Sequence, residues 1–226
     1  MTEEIIIAGF GGQGVLSMGK ILCYSGVMQG KEVSWMPSYG PEMRGGTANV
    51  TVIISDERIS SPILNAFDSA IILNQQSMDK FEPKVKPGGL LLYDPNGITR
   101  HPEREDISIY RCAGAEEAAR MGATRSFNMI MLGAFLKIKP IVEMENVLKG
   151  LKKSLPERYH HLIPQNEDAI HHGMEIVEEV RKVEARSLMS ERSEDPCLPA
   201  GRPACRGPKL DCRKGPGVKN RYLNTY

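Results

Sequence analysis

The sequence predicts an α/β domain built on a largely parallel sheet. Three observations carry that expectation. Short apolar runs alternate with helical patterns through the first half of the chain, a glycine-rich turn joins the first run to the first helix, and only helical patterns follow Thr124. The 226 residues, 41% hydrophobic and 25% charged, suffice for one globular domain with a real core.

Strands are expected near 5–8, 32–36, 48–54, 69–73, 90–93 and 107–110. After Gly14, the side chains of Val15, Met18 and Leu22 recur at helical spacing, and Gly30 supplies a stop before the second strand. Helices are expected at 126–136, 141–155 and 167–183, the last with Ile176, Val180 and Val183 on one face, a pattern that serves packing. From Arg186 the composition changes. Pro196, Pro199, Pro203, Pro208 and Pro216 interleave with Gly201, Gly207, Gly215 and Gly217, which predicts a disordered tail over 186–226 after a domain at 1–185.

Nine Lys or Arg against four Asp or Glu in that tail account for the net charge of +1 and leave the domain slightly acidic. No electrostatic ground follows for nucleic acid or an anionic membrane as partner. Met1 to Glu4 lacks the basic start and apolar stretch of a secretory signal, and no run approaches the roughly 18 apolar residues that span a bilayer. The five cysteines, Cys23 and Cys112 in the body and Cys197, Cys205 and Cys212 in the tail, are odd in number and irregular in spacing. A reduced, cytoplasmic setting is expected.

Gly9-Phe10-Gly11-Gly12-Gln13-Gly14 fits G-x-G-x-x-G directly after a strand and directly before a helix, a Rossmann-like arrangement. Glycine lets the chain turn tightly and lets a ligand approach the peptide N–H groups. The helix N-terminus behind it, with unpaired N–H groups and partial positive charge, suits a phosphate. The same glycines also serve strand-to-helix packing alone, and the motif does not separate the two uses. A nicotinamide or flavin dinucleotide would further require an acidic residue at the end of the second strand to hold the ribose hydroxyls, but that strand ends Ser34-Trp35-Met36-Pro37-Ser38. Glu42 stands past a proline and a glycine, beside Arg44, the residue an NADP reading would use for the 2′-phosphate. This counts against a free-standing dehydrogenase.

The segment Pro37-Ser38-Tyr39-Gly40-Pro41-Glu42-Met43-Arg44-Gly45-Gly46 combines rigid turns, an aromatic side chain and an opposite-charge pair. It follows the carboxyl end of a strand, where open α/β sheets place ligands; a plain surface connection is the alternative. Together with the glycine motif, it resembles the gamma subunit, or fused gamma domain, of 2-oxoacid:ferredoxin oxidoreductases. The resemblance covers roughly residues 1–183 and extends through Ser60-Ser61-Pro62, Asn74-Gln75-Gln76-Ser77 and Arg125-Ser126-Phe127-Asn128-Met129.

The resemblance implies a Rossmann-like subunit of a heteromeric enzyme that oxidatively decarboxylates a 2-oxoacid with coenzyme A and passes electrons to ferredoxin, or runs in reverse. 2-Oxoglutarate is the first choice of substrate, with branched-chain 2-oxoacids and pyruvate as alternatives. Thiamine diphosphate would sit between alpha and beta subunits and [4Fe-4S] clusters in a delta or beta subunit, leaving this chain non-catalytic. Its own site would use Gly9, Gly11, Gly12, Gln13, Gly14, Ser38, Tyr39, Arg44 and Asn74 to meet the phosphate of coenzyme A or a nucleotide portion. A stand-alone NAD(P)-dependent oxidoreductase and a nucleotide-binding regulatory module are the rival readings.

Other candidates are weaker. His160-His161 and His171-His172 are adjacent pairs whose side chains diverge by about 100° on a helix, and no cysteine or carboxylate set completes a metal site around them. Cys197, Cys205 and Cys212 lack C-x₂-C-x₂-C spacing, so no iron–sulfur cluster is expected in this chain. Asp94-Pro95-Asn96-Gly97 reads as a turn at the carboxyl edge of the sheet.

Overall fold

The computed structural model describes residues 1–40 and 45–183. The tail expected at 186–226 lies outside the described residues, as do Pro41, Glu42, Met43 and Arg44. Among the described residues, seven strands form one sheet: β1 (Thr2–Phe10), β2 (Glu32–Tyr39), β3 (Thr47–Ser55), β4 (Phe67–Ile72), β5 (Val85–Tyr93), β6 (Ser108–Arg111) and β7 (Glu178–Arg181). Their order is β2-β3-β1-β4-β5-β6-β7. Parallel pairings join β1 to β4, β4 to β5 and β5 to β6, whereas β3 runs antiparallel to β1 and β2, and β7 antiparallel to β6. Five of the strands thus point one way, and the expected mostly parallel α/β sheet is present.

Helices cover the two faces unequally. Four of them, α1 (Val15–Met28), α4 (Phe127–Ile138), α5 (Met144–Ser154) and α6 (Ile163–Ile176), share one apolar core with Ile5, Ile7, Val50 and Val52 of the sheet. α3 (Gly114–Arg120) packs on α4. The opposite face, with Ile6, Ala8 and Ile72, is closed by the short α2 (Gln75–Phe81), through Met78 and Phe81, and by Ile107. α1 stops as the sequence predicts. Gly30 takes φ 76°, its N–H donates to the Val27 carbonyl at 3.0 Å, and the Lys31 N–H donates to the Gly26 carbonyl at 2.9 Å. These two bonds satisfy carbonyls that the helix end would leave unpaired.

α4 is buried from Phe127 to Leu136 on every side, which explains its unbroken apolar sequence. It meets α6 backbone to backbone. A Cβ on Gly133 would lie 1.9 Å from the Ile170 carbonyl oxygen, and one on Gly173 would lie 1.9 Å from that of Ile130.

Two expectations need correction. The helix predicted at 167–183 starts earlier and ends at Ile176, after which Glu178–Arg181 forms β7. Ile176, Val180 and Val183 fit a helical face by spacing, but Val180 is 55% exposed and packs no such face. The free edge of β6 offers a hydrogen-bond ladder instead. Surface partners add to it: Arg111 pairs with Glu178, and the Tyr110 hydroxyl donates to Glu179 at 3.2 Å. The second correction concerns Pro37, Ser38 and Tyr39, which are not loop. They continue β2, opposite Val50, Asn49 and Ala48, with Pro37 in an edge strand where its missing N–H is tolerated.

Two outcomes follow from this packing. Gly133→Ala should lower stability by about 1–3 kcal/mol, read as an earlier midpoint in urea unfolding, because backbone atoms of α6 cannot yield to the added methyl. Cys23 and Cys112 are buried, and burial pushes each thiol up to about 12. At about pH 8, peptide mapping after iodoacetamide treatment should therefore find both unmodified in the native chain and both alkylated after denaturation.

Candidate functional site

β1 and β4 are parallel neighbours, yet the helices that follow them take opposite faces: α1 joins the core containing Ile5 and Ile7, and α2 the core containing Ile6 and Ala8. The chain therefore parts at the carboxyl ends of these two strands, the place where open α/β sheets hold ligands. The glycine motif forms one lip of that parting and Asn74 the other.

Between Phe10 and Val15 the backbone reverses through Gly12 at φ 102° and Gly14 at φ 77°, left-handed conformations that side-chain-bearing residues rarely adopt. Gly14 is the N-cap of α1 and has no side chain to offer, and no acidic residue stands in the first turn. The first N–H groups of α1 are left without a side-chain partner. Gln13 ties the turn down. Its Oε1 accepts the Phe10 N–H at 2.6 Å, and its Nε2 donates to the Leu73 carbonyl at 3.4 Å, beside the end of β4. Gly9 leaves room for that amide, since a Cβ there would stand 2.5 Å from Gln13 Oε1. The Gly11 N–H donates to the Gly46 carbonyl at 2.9 Å and fastens the turn to the start of β3.

On the β2–β3 side, the turn and the first residues of α1 face Trp35, Pro37 and Tyr39 across a cavity of about 740 Å³. That volume suits a small organic ligand. The pleat places Trp35, Pro37 and Tyr39 on one face of β2 and sends Ser38 to the other, so the cavity takes Tyr39 and not Ser38. Tyr39 is 65% exposed and Trp35 41%, unusual for aromatic side chains beside an apolar opening. Arg44 lies outside the described residues. Asn74 is fully enclosed: its Oδ1 accepts the Ser77 N–H at 2.8 Å and caps α2, while its Nδ2 has no partner among the described residues.

Of the residues read from sequence, Gly9 and Gln13 build the turn, Gly11, Gly12, Gly14 and Tyr39 line the cavity, and Asn74, enclosed at the start of α2, does not line it. Phe10, Trp35 and Pro37 escaped that reading. The alternation of Trp35, Pro37 and Tyr39 along one strand was the available signal. The sheet also displaces the usual dinucleotide geometry, because β3 intervenes between β1 and β2, and β2 ends without a carboxylate.

The remaining candidates serve structure. His160 Nε2 lies 3.1 Å from the carbonyls of Lys152 and Leu155, at the end of α5. His172 pairs with Glu117 at 2.9 Å, and this hydrogen bond, with the neighbouring Arg120, holds the Glu117 carboxyl below its ordinary range. Asp94 accepts the N–H groups of Asn96 at 2.9 Å and Ala115 at 3.1 Å, making the expected turn and supporting the start of α3, although burial raises its pKa. Among the described residues, no group of three or more His, Cys, Asp or Glu is placed to hold a metal, and no helix is long and apolar enough to cross a membrane.

Known proteins resemble this chain in sequence and fold. The family model for pyruvate ferredoxin/flavodoxin oxidoreductase matches residues 4–176. The ketoisovalerate oxidoreductase subunit VorA of Methanothermobacter marburgensis is 41% identical over 135 residues, 60% of this chain, and the match spans only 28% of that relative. The 2-oxoglutarate synthase subunit KorC of Methanocaldococcus jannaschii is 35% identical over 162 residues, covering 70% of this chain and 86% of the relative. Among solved structures, the gamma subunit of a keto/oxoacid ferredoxin oxidoreductase from Geobacter sulfurreducens PCA superposes with a TM-score of 0.68 at 28% identity, over 78% of this chain and 96% of that one. The 2-oxoglutarate:ferredoxin oxidoreductase from Magnetococcus marinus, with 2-oxoglutarate, coenzyme A and succinyl-CoA bound, gives 0.70 at 25% identity, over 77% of this chain and 31% of that one. The resemblance to gamma subunits carried by the glycine turn and the segment from Pro37 therefore extends over residues 4–176, and the chain belongs to the pyruvate ferredoxin/flavodoxin oxidoreductase family.

Proposed function

We propose that this chain is the non-catalytic gamma subunit of a heteromeric 2-oxoacid:ferredoxin oxidoreductase of the cytoplasm, and that it binds the coenzyme A which the reaction consumes. The cavity between the glycine turn and β2 carries this reading. One wall presents the uncapped start of α1 and the peptide groups of Gly12 and Gly14, which suit a diphosphate. The other presents Trp35 and Tyr39, flat surfaces on which an adenine ring can stack. Among the described residues, the Tyr39 phenol is the one titratable side chain in the lining, and the glycine peptide groups and aromatic faces there bind and orient a ligand.

Thiamine diphosphate, which supplies carbanion stabilisation, and [4Fe-4S] clusters, which supply one-electron transfer to ferredoxin, are then contributed by alpha, beta and delta subunits. 2-Oxoglutarate is the preferred substrate, because KorC is matched over most of its length. A branched-chain 2-oxoacid is the second reading, favoured by the higher identity to VorA over a shorter stretch.

Two measurements bear on this. In the assembled complex, Tyr39→Ala and Gly12→Asp should each weaken coenzyme A binding about tenfold by calorimetry, the loss expected for one stacked base or an obstructed phosphate. Unchanged affinity in both variants, with the complex intact, would reduce the cavity to packing. The purified chain alone should show no 2-oxoacid-dependent reduction of viologen, whereas the complex with alpha, beta and delta subunits should; turnover by the chain alone would overturn the non-catalytic assignment.

A further inference from the structure

A second cavity, of about 580 Å³, lies on the other side of the first turns of α1, between that helix, the amino end of α4, the carboxyl end of α5 and the start of α6. It shares only Ser17 with the cavity at the glycine turn. We infer that this second cavity is a separate binding site for a small organic phosphate.

Charge is the first ground. Lys20 and Arg125 both line the opening, both are exposed, and neither forms an ion pair among the described residues; the Lys20 ammonium lies 5.6 Å from the centre of the Tyr24 ring. Among the described residues, no carboxylate lines the cavity to neutralise the two cations. α4 adds its amino end, which begins at an N-cap, Ser126, that makes no side-chain capping bond.

The second ground is independent of charge. Asn128, on the first turn of α4, is 9% exposed, and its amide has no hydrogen-bond partner among the described residues. Neither amide atom is sealed off, in contrast to Asn74 Nδ2, and the residue lines this cavity. A buried amide without a partner, on a residue that lines a cavity, is a group suited to a polar occupant. The same amide lies against Gly14, where a Cβ would stand 2.6 Å from its Nδ2.

The remaining lining decides the ligand class. Hydroxyls of Ser17 and Thr124 suit phosphate oxygens, whereas Ile21, Met129, Leu151 and Leu155 form an apolar wall that an inorganic ion would leave unused. A phosphate carried on an apolar or planar body uses both. The site does not depend on coenzyme A binding at the glycine turn, although its occupant would touch Asn128 and so press on the back of that turn.

Phenyl phosphate is a suitable probe, titrated into the full chain by calorimetry beside inorganic phosphate and benzoate. Saturable binding of phenyl phosphate is expected, at least about tenfold tighter than either comparison anion, since inorganic phosphate lacks the apolar body and benzoate lacks the third oxygen and the second negative charge. The double variant Lys20→Ala, Arg125→Ala changes two exposed residues and should weaken that binding about tenfold without moving the melting temperature. Tyr39→Ala should leave it unchanged. No saturable binding, no effect of the double variant, or benzoate bound as tightly as phenyl phosphate would each overturn the assignment, and loss of binding in Tyr39→Ala would merge the two cavities into one.

Discussion

β1 carries Ile5, Ile6, Ile7 and Ala8 in succession, all sealed from solvent, and a strand so placed has to be covered on both faces. That requirement organises the rest of the domain. The segment leaving β1 covers the Ile5 and Ile7 side as α1, and the segment leaving the adjacent β4 covers the Ile6 and Ala8 side as α2. Two parallel neighbours whose continuations go to opposite faces leave a parting at their carboxyl ends. The ligand edge of this protein is thus a by-product of roofing its central strand, and the glycine turn is the part of the chain that negotiates it.

The helical layer is thick because its members come very close. α6 rests on α4 through Gly133 and Gly173, and α5 rests on α1 at Gly150, where a Cβ would meet Ser25 Oγ at 2.5 Å. Both contacts trade side-chain volume for backbone proximity. With α4 pressed between the sheet and α6, its first turn is fixed against Gly14, so the shape of the glycine turn is set from behind by Asn128 as much as from within by Gln13.

The α/β class, the central strands and the glycine turn were legible in the sequence because each rests on a local rule: apolar runs, helical spacing, and glycines at a strand-to-helix junction. α2 and α3 were not, since seven residues carry too few apolar positions to show a period. β7 was misread because Ile176, Val180 and Val183 obey helical spacing by accident, while what decides their state is an unpaired edge of β6 far away in the chain. The same limit applied to the site. Gly11, Gly12, Gly14 and Tyr39 could be named from motifs, but Ser38 was assigned to the same site as Tyr39 because a strand was taken for a loop, and the alternation of faces was not applied. Asn128 belonged to a motif with no stated role until the fold brought it against Gly14.

β7 differs from every other strand in having all four residues exposed. It buries no apolar side chain in either core and is held by its ladder with β6 and by charged partners at the surface, so releasing it costs the domain only a few hydrogen bonds and screened ion pairs. Local opening should begin there. The backbone amides of β7 would then exchange with solvent well before those of β1, and each opening would expose the edge of β6 for as long as it lasts.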